Sequence, residues 1–411
     1  MSKAFTKTIQ QALGRDPVHP FPARMAPGIA LDILSSEPEK IRVLDPMMGS
    51  GTVLAMARAR GHSAIGIDID PLAVLLARVW TTAVDASHVR LAASRVLDRA
   101  KKRFPICSVG EAYPTNGDTE TRQFVRYWFD DYARRQLTTL AEAIYRLEDG
   151  PVRDALWCAF SRLIITKQAG ASLAMDLSHS RPHRAFEYAP IKPFNKFLVA
   201  VDHVLKNCIS HDQADRGPAT RISLGDARKL PLPSGTIDLV LTSPPYLNAI
   251  DYMRCSKFSL VWMGYSVGEL GSIRSESVGT ECSDQSACEN EDIKKIISDL
   301  RLKPKLAPRQ EAILAHYIDD MMQAVKEAAR VLSPNGRAVY VVGENTVRGT
   351  FIPNAKIVAA VAEQSGLITE RKRTRALPAN RRYLPPPTRG ASTEALNGRM
   401  RREAVLSFCK S

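Results

Sequence analysis

The stretch at residues 41–68 constrains the fold of this chain more than any other part of its sequence. It contains a β-branched run that ends in an acid, IRVLD (41–45), and a turn with two glycines one residue apart, PMMGSG (46–51). The apolar spacing over 52–60 predicts a helix, and HSAIGID (62–68) predicts a second strand that also ends in an acid. Asp70 is the expected N-cap of the next helix, with Pro71 at its first position. Strand, helix and strand in so short a stretch predict a parallel sheet with helices packed against it.

The turn and the second acid together predict a site for a cofactor that contains adenosine. Glycine reaches positive φ and lets a ligand approach the backbone closely, and the start of a helix offers free N–H groups. Asp68 follows Asp45 by 23 residues, and an acid about 20 residues on holds the ribose diol in dinucleotide-binding folds. A tight turn with a strand-end carboxylate is the plainer alternative. No lysine follows the glycines, so the turn does not match a phosphate-binding P-loop.

Beyond residue 84 the alternation of strands and helices stops, and it resumes near residue 218. The intervening residues, 85–217, have mainly helical patterns, with amphipathic stretches around 88–103, 121–148 and 151–166. Later strands are predicted within TRISLGDA (220–227), TIDLVLTSPPY (236–246), EAVLSFCK (403–410) and the apolar run at 336–345, with a long helix at 311–332. The sequence therefore predicts an α/β protein whose doubly wound sheet is formed by 19–84 and 218–411 and interrupted by a helical insertion. A second, polar insertion at 266–310 is predicted to be a loop or a small lobe.

The charge balance indicates a polyanionic partner. Lysines and arginines number 57 and acidic residues 43, which gives a net charge of +14. Nucleic acid is the simplest such partner; an anionic membrane is the rival, but no basic amphipathic helix stands out. The apolar runs are too short to span a bilayer and no signal-peptide core is visible. We therefore expect a cytoplasmic, nucleoid-associated protein.

Cysteine and histidine spacing gives no sign of a disulfide framework or a metal site. The seven cysteines form no C-x-x-C pair, and the eight histidines show no ligand spacing. We therefore expect no bound metal.

Two further strand ends carry polar groups. Asp226 and Ala227 follow a predicted strand, where a carboxylate can accept a hydrogen bond from an adenine amino group; a turn carboxylate is an equal alternative. TSPPY (242–246) follows a buried apolar strand. Two prolines fix φ twice and remove two N–H donors, so carbonyl oxygens, a serine hydroxyl and a tyrosine ring remain to meet a flat ring with an amino group. A rigid strand exit is the plainer alternative.

The two loops together resemble the S-adenosylmethionine-dependent amino-methyltransferases of DNA, which modify N4 of cytosine or N6 of adenine. The signatures of that family are Asp-Pro-x-x-Gly-x-Gly and (Ser/Asn/Asp)-Pro-Pro-(Tyr/Phe), matched here by DPMMGSG (45–51) and SPPY (243–246). HPFPAR (19–24) resembles the segment that these enzymes place against the methionine end of the cofactor. The resemblance covers about 19–84 and 218–345, and it implies a Rossmann-like class I methyltransferase fold.

The resemblance also implies which residues bind the cofactor and which catalyse. The residues that it assigns to S-adenosylmethionine are Phe21, Pro22, Ala23, Asp45, Pro46, Gly49, Ser50, Gly51, Thr52, Asp68, Ile69, Asp226 and Ala227. The residues that it assigns to catalysis are Ser243, Pro244, Pro245 and Tyr246. In this chemistry the Ser243 side chain and the Pro244 carbonyl accept the two N–H hydrogens of the amine, and Tyr246 stacks on the target base. A base in a duplex must be flipped out first, and no metal is needed.

The first residue of the catalytic motif bears on the target base. Serine resembles the N4-cytosine type more than the adenine type, so cytosine N4 is favoured. An N6-adenine enzyme and an RNA guanine-N2 type methyltransferase remain alternatives. An alternative of another class is a catalytically silent nucleic-acid-binding subunit, against which the intact SPPY motif argues. The implied substrate is double-stranded DNA, with a cognate restriction enzyme or a defence partner beside it.

Contact with nucleic acid is predicted in three places: a polar loop at 176–184, the start of a helix after the catalytic motif, and a basic segment at 371–402. The residues that we assign to this contact are Arg181, Arg184, Arg254, Lys257, Arg381 and Arg382. A solvated loop, a helix start and a solvated charge run are the alternatives. The insertion at 85–217 is the candidate for target recognition, with 266–310 as its competitor. The aromatic run FVRYWF (124–129) is expected to form core of the insertion rather than a base-stacking platform.

Overall fold

The structure, a computed structural model, describes residues 7–22, 24–179, 182–210, 217–245, 247, 251–280, 286–300, 306–347, 350–376 and 402–411. Helices and strands are numbered in chain order. The α-helices of the described residues are α1 (Ile9–Leu13), α2 (Pro27–Ser35), α3 (Thr52–Ala59), α4 (Pro71–Thr81), α5 (Ala86–Arg103), α6 (Thr119–Trp128), α7 (Asp131–Tyr145), α8 (Pro151–Ile164), α9 (Pro193–Asn207), α10 (Met253–Leu260), α11 (Val267–Glu276), α12 (Glu291–Asp299), α13 (Pro308–Val331) and α14 (Asn354–Gln364). The strands are β1 (Arg42–Asp45), β2 (Ser63–Asp68), β3 (Ala83–Val84), β4 (Ala174–Met175), β5 (His183–Arg184), β6 (Ile209–Ser210), β7 (Thr220–Leu224), β8 (Ile237–Thr242), β9 (Leu332–Gly343), β10 (Asn345–Val347), β11 (Thr350–Ile352), β12 (Leu367–Ala376) and β13 (Arg402–Lys410).

The chain divides into two compact units, and each contains part of the predicted α/β pattern. The first unit consists of Met1–Lys40, Met48–Leu224 and Asp251–Arg274, and the second of Ile41–Met47, Gly225–Ile250 and Ser275–Ser411. In the first unit β2 pairs in parallel with β7. In the second unit β1, β8 and β9 pair in parallel, and β13 lies antiparallel between β9 and β12. The parallel strands and their helical connections confirm the predicted doubly wound, Rossmann-like α/β fold.

Pairing in the second unit brings three strand ends to one edge. Leu44 of β1 lies opposite Val240 of β8, and Val240 lies opposite Ala338 of β9. Because these strands are parallel, their carboxyl ends meet at the same edge, where open α/β sheets bind their ligands. The residues that follow β1 and β8 therefore belong to neighbouring loops.

Helix caps in the first unit follow the sequence closely. Asp70 caps α4 by accepting a hydrogen bond from the backbone N–H of Leu72, and Pro71 occupies the first helical position, as the sequence predicts. The helical stretch expected over 121–148 is broken, because α6 ends at Trp128 and Asp130 caps a new helix, α7. An aspartate between two apolar runs thus starts a second helix.

The helical insertion shares one hydrophobic core with α4, the helix that follows β2. Trp80 of α4 is buried in one apolar cluster with Phe129, Phe160 and Trp262. The ring centroid of Trp262 lies 5.4 Å from that of Phe129 and 6.4 Å from that of Phe160. Edge-on aromatic contacts of this kind add to the burial of apolar area. The helices of the insertion are therefore part of the first unit's core.

The polar segment at 266–310, expected as a loop or a small lobe, contains two helices in its described part, α11 and α12. Asn290 caps α12 by accepting hydrogen bonds from two backbone N–H groups of its first turn.

Among the helices that the structure describes, none is long and apolar enough to cross a membrane.

Candidate active site

The glycine turn of the first unit is folded back onto the end of β2. Gly49 has φ +51° and Gly51 has φ +85°, the left-handed region that glycine enters at low cost. The backbone N–H of Gly49 donates to Oδ2 of Asp68 at 2.8 Å, and that of Met48 donates to the carbonyl of Ile67 at 3.1 Å. The predicted cofactor loop and the predicted ribose ligand are thus held together by direct hydrogen bonds.

Asp68 presents a carboxylate that is fixed by backbone donors. Its Oδ1 accepts from the N–H of Asp70 at 2.9 Å, opposite the bond from Gly49. Burial raises the pKa of Asp68, and the N–H groups of Asp70, Gly49 and Ile69 offset part of that rise. Each carboxylate oxygen has two lone pairs, so both oxygens keep acceptor capacity for the two hydroxyls of a ribose.

Two features of the turn fit a ligand that lies against it. No side chain caps the first turn of α3, so its N–H groups are available to a ligand. The hydroxyl oxygen of Thr52, the first residue of α3, is buried without a hydrogen-bond partner among the described residues. A buried hydroxyl left unpaired costs about 1–3 kcal/mol, and a bound cofactor would remove that cost. The residues present therefore fit the polar end of an adenosine cofactor.

The segment at 19–22 is anchored beside these elements in the first unit. Phe21 is buried, and its ring centroid lies 6.2 Å from that of Tyr252. The Arg24 side chain donates to the Phe21 carbonyl at 2.8 Å, and Pro22 is partly exposed. A ring predicted to meet the cofactor thus contacts the residue that precedes α10.

Buried hydroxyl groups fasten α10 to the N-cap of α4 and to α8, and no sequence motif marks these contacts. Ser256 donates to Oδ2 of Asp70 at 2.5 Å. Ser259 contacts Ser161 of α8 at 2.8 Å, and Ser161 contacts Nε2 of His19 at 3.0 Å. These contacts could have been predicted from the position of the serines on the apolar faces of their helices, because a buried polar group needs a hydrogen-bond partner.

Burial changes the protonation of two groups in this network. It raises the pKa of Asp70 to about 7, against the bond from Ser256, and the nearby Asp68 adds to the rise. Burial lowers the pKa of His19 well below its ordinary value, with Arg162 and Arg24 acting in the same direction. His19 is therefore neutral near pH 7, and Asp70 is close to its midpoint.

In the second unit, the loops after β1 and β8 are joined by a buried hydrogen bond. The hydroxyl of Thr242 donates to Oδ1 of Asp45 at 2.7 Å, and both residues are almost fully buried. The same carboxylate oxygen accepts from the N–H of Met47 at 3.3 Å. Asp45 therefore orients Pro46 and Met47 with respect to the residue before Ser243.

Ser243 and Pro245 each have a defined partner. The Ser243 hydroxyl donates to the carbonyl of Val341 on β9 at 2.9 Å. The carbonyl of Pro245 accepts from the hydroxyl of Tyr317, a buried residue of α13, at 3.2 Å. Burial raises the pKa of Tyr317 above its ordinary value, so it stays a donor. Because the hydrogen of Ser243 is committed to β9, the group that its oxygen can offer to a substrate is a lone pair.

Asp226 is held by Arg228, a residue that no sequence motif marks. Arg228 donates to both carboxylate oxygens of Asp226, at 2.9 Å and 2.7 Å to Oδ2 and 3.1 Å to Oδ1. Its other end donates to the buried Asp320 of α13 at 2.5 Å. Burial alone would lower the pKa of Arg228, but the hydrogen bonds and charges of Asp226 and Asp320 outweigh burial and raise that pKa. Ala227, the neighbour of Asp226, is buried.

The predicted nucleic-acid residues that the structure describes all lie on the first unit. Arg184 of β5 lies 5.2 Å from the ring centroid of Tyr127, and Lys257 lies 4.9 Å from that of Phe124. Arg254 pairs with Asp251. The two rings are one turn apart on α6, so Arg184 and Lys257 lie along the same helix. In this run Phe129 is buried as expected, whereas Tyr127 is 52% exposed.

Five predicted site residues lie outside the described residues: Ala23, Arg181, Tyr246, Arg381 and Arg382. Of the basic segment at 371–402, the structure describes the part in β12 and Arg402. There Arg375 pairs with Glu403 at 2.6 Å, so this arginine is engaged within the protein.

No group of histidine, cysteine or acidic side chains within the described ranges is arranged to hold a metal ion.

Comparison with known proteins finds relatives among methyltransferases. No family model matches the chain. The type II methyltransferase M.MvaI of Kocuria varians is 23% identical over 364 residues, which cover 83% of this chain and 79% of that protein. The type II methyltransferase M.AvaI of Nostoc sp. strain PCC 7120 is 23% identical over 377 residues, covering 80% of this chain and 74% of that protein.

Solved structures with some similarity carry related names. A SAM-dependent methyltransferase of Methanosarcina mazei has a TM-score of 0.33 at 9% identity, covering 92% of this chain and 96% of that one. A putative DNA modification methylase of Thermus thermophilus, complexed with S-adenosylmethionine, has a TM-score of 0.22 at 18% identity, covering 45% of this chain and 53% of that one.

The sequence relatives, together with the fold and the loops described above, confirm the predicted resemblance to DNA methyltransferases. Within that class, the relatives found by sequence are type II methyltransferases.

Proposed function

We propose that this protein methylates DNA, transferring the methyl group of S-adenosylmethionine to the exocyclic amine of a flipped-out base, with N4 of cytosine as the favoured target. The observation that carries the proposal is the orientation of Ser243 at the end of β8. N6 of adenine is the alternative amine. The relatives named type II methyltransferases support the substrate class.

Ser243 has the hydrogen-bond polarity that an amino substrate requires. An exocyclic amine presents two N–H donors, and its lone pair is delocalised into the ring. The hydroxyl hydrogen of Ser243 is already donated to Val341, so its oxygen meets the amine as an acceptor. With the Pro244 carbonyl as second acceptor, the two bonds draw the nitrogen towards tetrahedral geometry and free its lone pair.

The surroundings of the motif keep these acceptors in place. Tyr317 holds the Pro245 carbonyl, and Thr242 is tied to Asp45 on the neighbouring strand. Prolines at two successive positions leave the backbone little freedom. Such positioning supplies about 7–11 kcal/mol in reactions between well-oriented partners, and a displaced acceptor would forfeit much of it.

The first unit would hold the cofactor through Asp68 and the glycine turn. The Asp68 carboxylate accepts from the ribose hydroxyls, and the N–H groups at the start of α3 meet the polar end of the molecule. When bound, S-adenosylmethionine supplies an electrophilic methyl on a sulfonium. The amine held by Ser243 and the Pro244 carbonyl would accept this methyl from the sulfur and lose one proton to solvent. Asp226 would accept from the adenine amino group through the lone pairs that Arg228 leaves available.

Product analysis tests the proposal and identifies the base. The purified protein is incubated with S-adenosylmethionine and plasmid DNA, the DNA is digested to nucleosides, and methylated nucleosides are separated by mass. We expect N4-methylcytosine. N6-methyladenine would replace the cytosine assignment, and a methylated product only from a parallel incubation with RNA would refute the DNA assignment.

The variant Ser243→Ala tests the acceptor role. We expect kcat to fall roughly 10²-fold, the cost of losing one preorganised polar contact to a reacting group, with unchanged affinity for S-adenosylmethionine. Ser333→Ala is the matched control, because the Ser333 hydroxyl also donates to a strand carbonyl, that of Ile237 at 3.0 Å, at the opposite end of β8. Equal losses of kcat in the two variants would mean that Ser243 serves only the sheet.

A further inference from the structure

Three cationic side chains of the first unit are grouped around one carboxylate just beyond the catalytic motif in the chain. Arg254 pairs with Oδ2 of Asp251 at 3.0 Å, and Arg274 of α11 bonds to the same oxygen. Lys257 lies one turn after Arg254 on α10. Asp251 follows Pro245 by six residues. A single carboxylate thus gathers two arginines that are 20 residues apart.

The charges in this group do not cancel. The Arg254 and Arg274 side chains are 51% and 46% exposed, whereas Asp251 is 21% exposed. Lys257 lies over the ring of Phe124. Burial lowers the pKa of Lys257, with Arg274 and Arg254 acting in the same direction, while Asp251 and Glu120 oppose them. The three cations therefore repel one another, and an added anion would relieve that repulsion.

The geometry of the pairs suits an outward-facing anion. Each arginine uses its Nε–H on Asp251, and a guanidinium has five N–H donors in a planar fork that matches a phosphate. The donors left over are on the half-exposed parts of both side chains. Asp251 therefore orients the guanidinium groups of Arg254 and Arg274 on one surface, and its single negative charge does not neutralise all three cations.

A second cation–ring pair extends this surface along α6. Arg184 lies over Tyr127, one helical turn from Phe124 and Lys257. Tyr127 is half exposed, so its ring holds the arginine at the surface. A cation over the face of a ring is attracted by the ring's electrons, so Tyr127 steadies Arg184 in this position.

We propose that Arg254, Lys257 and Arg274, arranged around Asp251, bind the phosphodiester backbone of the DNA substrate. The proposal rests on the proposed function and deepens it, because it adds Arg274, a residue that no sequence motif signals. Backbone contacts of this kind position a DNA strand without reading its sequence. Arg184 extends the same track.

The salt dependence of DNA binding tests the assignment. Arg254→Gln and Arg274→Gln are compared with wild type for binding to a labelled duplex between about 50 and 200 mM salt. Each lost phosphate contact lowers the slope of log K against log salt by about 0.9, and we expect that change in each variant on duplexes of any sequence. Arg90→Gln is the matched control, because Arg90 is also a half-exposed arginine of the first unit paired with an aspartate, Asp202, at 3.0 Å. Its slope should equal that of wild type.

Two further measurements distinguish a failure of the phosphate assignment from a failure of the proposed function. Unchanged thermal unfolding and unchanged affinity for S-adenosylmethionine show that the variants are folded. If wild type methylates DNA and binds it with a steep slope, but both variants keep that slope, the phosphate assignment is overturned while the proposed function stands. A change of slope on single-stranded RNA alone would also overturn it. If wild type neither binds nor methylates DNA, the proposed function fails and this inference falls with it.

Discussion

Replacing Gly51 with alanine separates two reasons for a glycine in the cofactor loop. Gly51 has φ +85° and precedes α3 as its N-cap. A Cβ added there would lie 2.9 Å from Cβ and 3.1 Å from Cα of Ala77 on α4. The variant Gly51→Ala therefore suffers both from the left-handed backbone and from a collision with the neighbouring helix.

The two costs can be apportioned with a second glycine. The left-handed conformation costs a non-glycine residue about 1–2 kcal/mol, and forcing a methyl into a packed site costs about 1–3 kcal/mol. Gly61 also has positive φ, +81°, but the nearest atom to an added Cβ is the Lys40 side chain at 3.7 Å. We expect Gly61→Ala to lower the free energy of unfolding by about 1–2 kcal/mol, and Gly51→Ala by roughly 2–5 kcal/mol.

Denaturant unfolding of the two variants measures the difference, and calorimetry with S-adenosylmethionine adds a functional readout. Gly51→Ala should weaken cofactor binding, because relief of the collision displaces the turn that Gly49 fastens to Asp68; Gly61→Ala should leave it unchanged. Equal losses of stability in the two variants would refute the steric part of this reasoning. Normal cofactor affinity in a destabilised Gly51→Ala would refute the link between the turn and the ligand.

Two other substitutions test the buried charges. A folded-state pKa of about 7 for Asp70 means that the ionised form is disfavoured in the folded state, so wild-type stability should fall as pH rises from about 4 and level off above about 7. Asp70→Asn keeps an N-cap and can exchange a hydrogen bond with Ser256. The free energy of unfolding of this variant, relative to wild type, should therefore rise by roughly 2–3 kcal/mol between about pH 5 and pH 8 in denaturant titrations. A difference between variant and wild type that does not change with pH would contradict this. Arg228→Gln leaves the buried Asp320 without its arginine partner, with only His316 nearby, and should destabilise the protein by about 3 kcal/mol, while the loss of its bonds to Asp226 weakens cofactor binding. Stability should partly return in the double variant with Asp320→Asn, and a double variant no better than the single one would count against the ion pair.

The parts of the fold that the sequence predicted are those determined by residues close together in the chain. The turn between β1 and α3, the acid at the end of β2 and the Asp70 cap with Pro71 all depend on a few consecutive residues. Their geometry follows from glycine and proline φ preferences and from capping, which act locally. The break between α6 and α7 was missed because the apolar spacing continues across it, although Asp130 was a visible capping signal.

The contacts that sequence reasoning could not supply join distant positions. Arg228 and Asp320 are 92 residues apart, and Ser161 and Ser259 are 98 residues apart. Each of these side chains is ordinary in its local context, and only the tertiary arrangement buries it beside its partner. The same holds for Arg274, which became a candidate only when its bond to Asp251 was seen.

The core that Trp80 shares with Phe129, Phe160 and Trp262 limits how this protein can be engineered. Target preference in a modular enzyme can be exchanged by grafting one recognition segment for another. Here the helices between 86 and 207 complete the hydrophobic interior against which α4 packs, and α4 begins at the cap next to Asp68. A graft or deletion of this segment would expose large apolar rings and release the support of the cofactor loop. If this insertion reads the target, as its sequence predicts, single substitutions on the surface of its helices would change specificity at a lower cost in stability than replacing the helices.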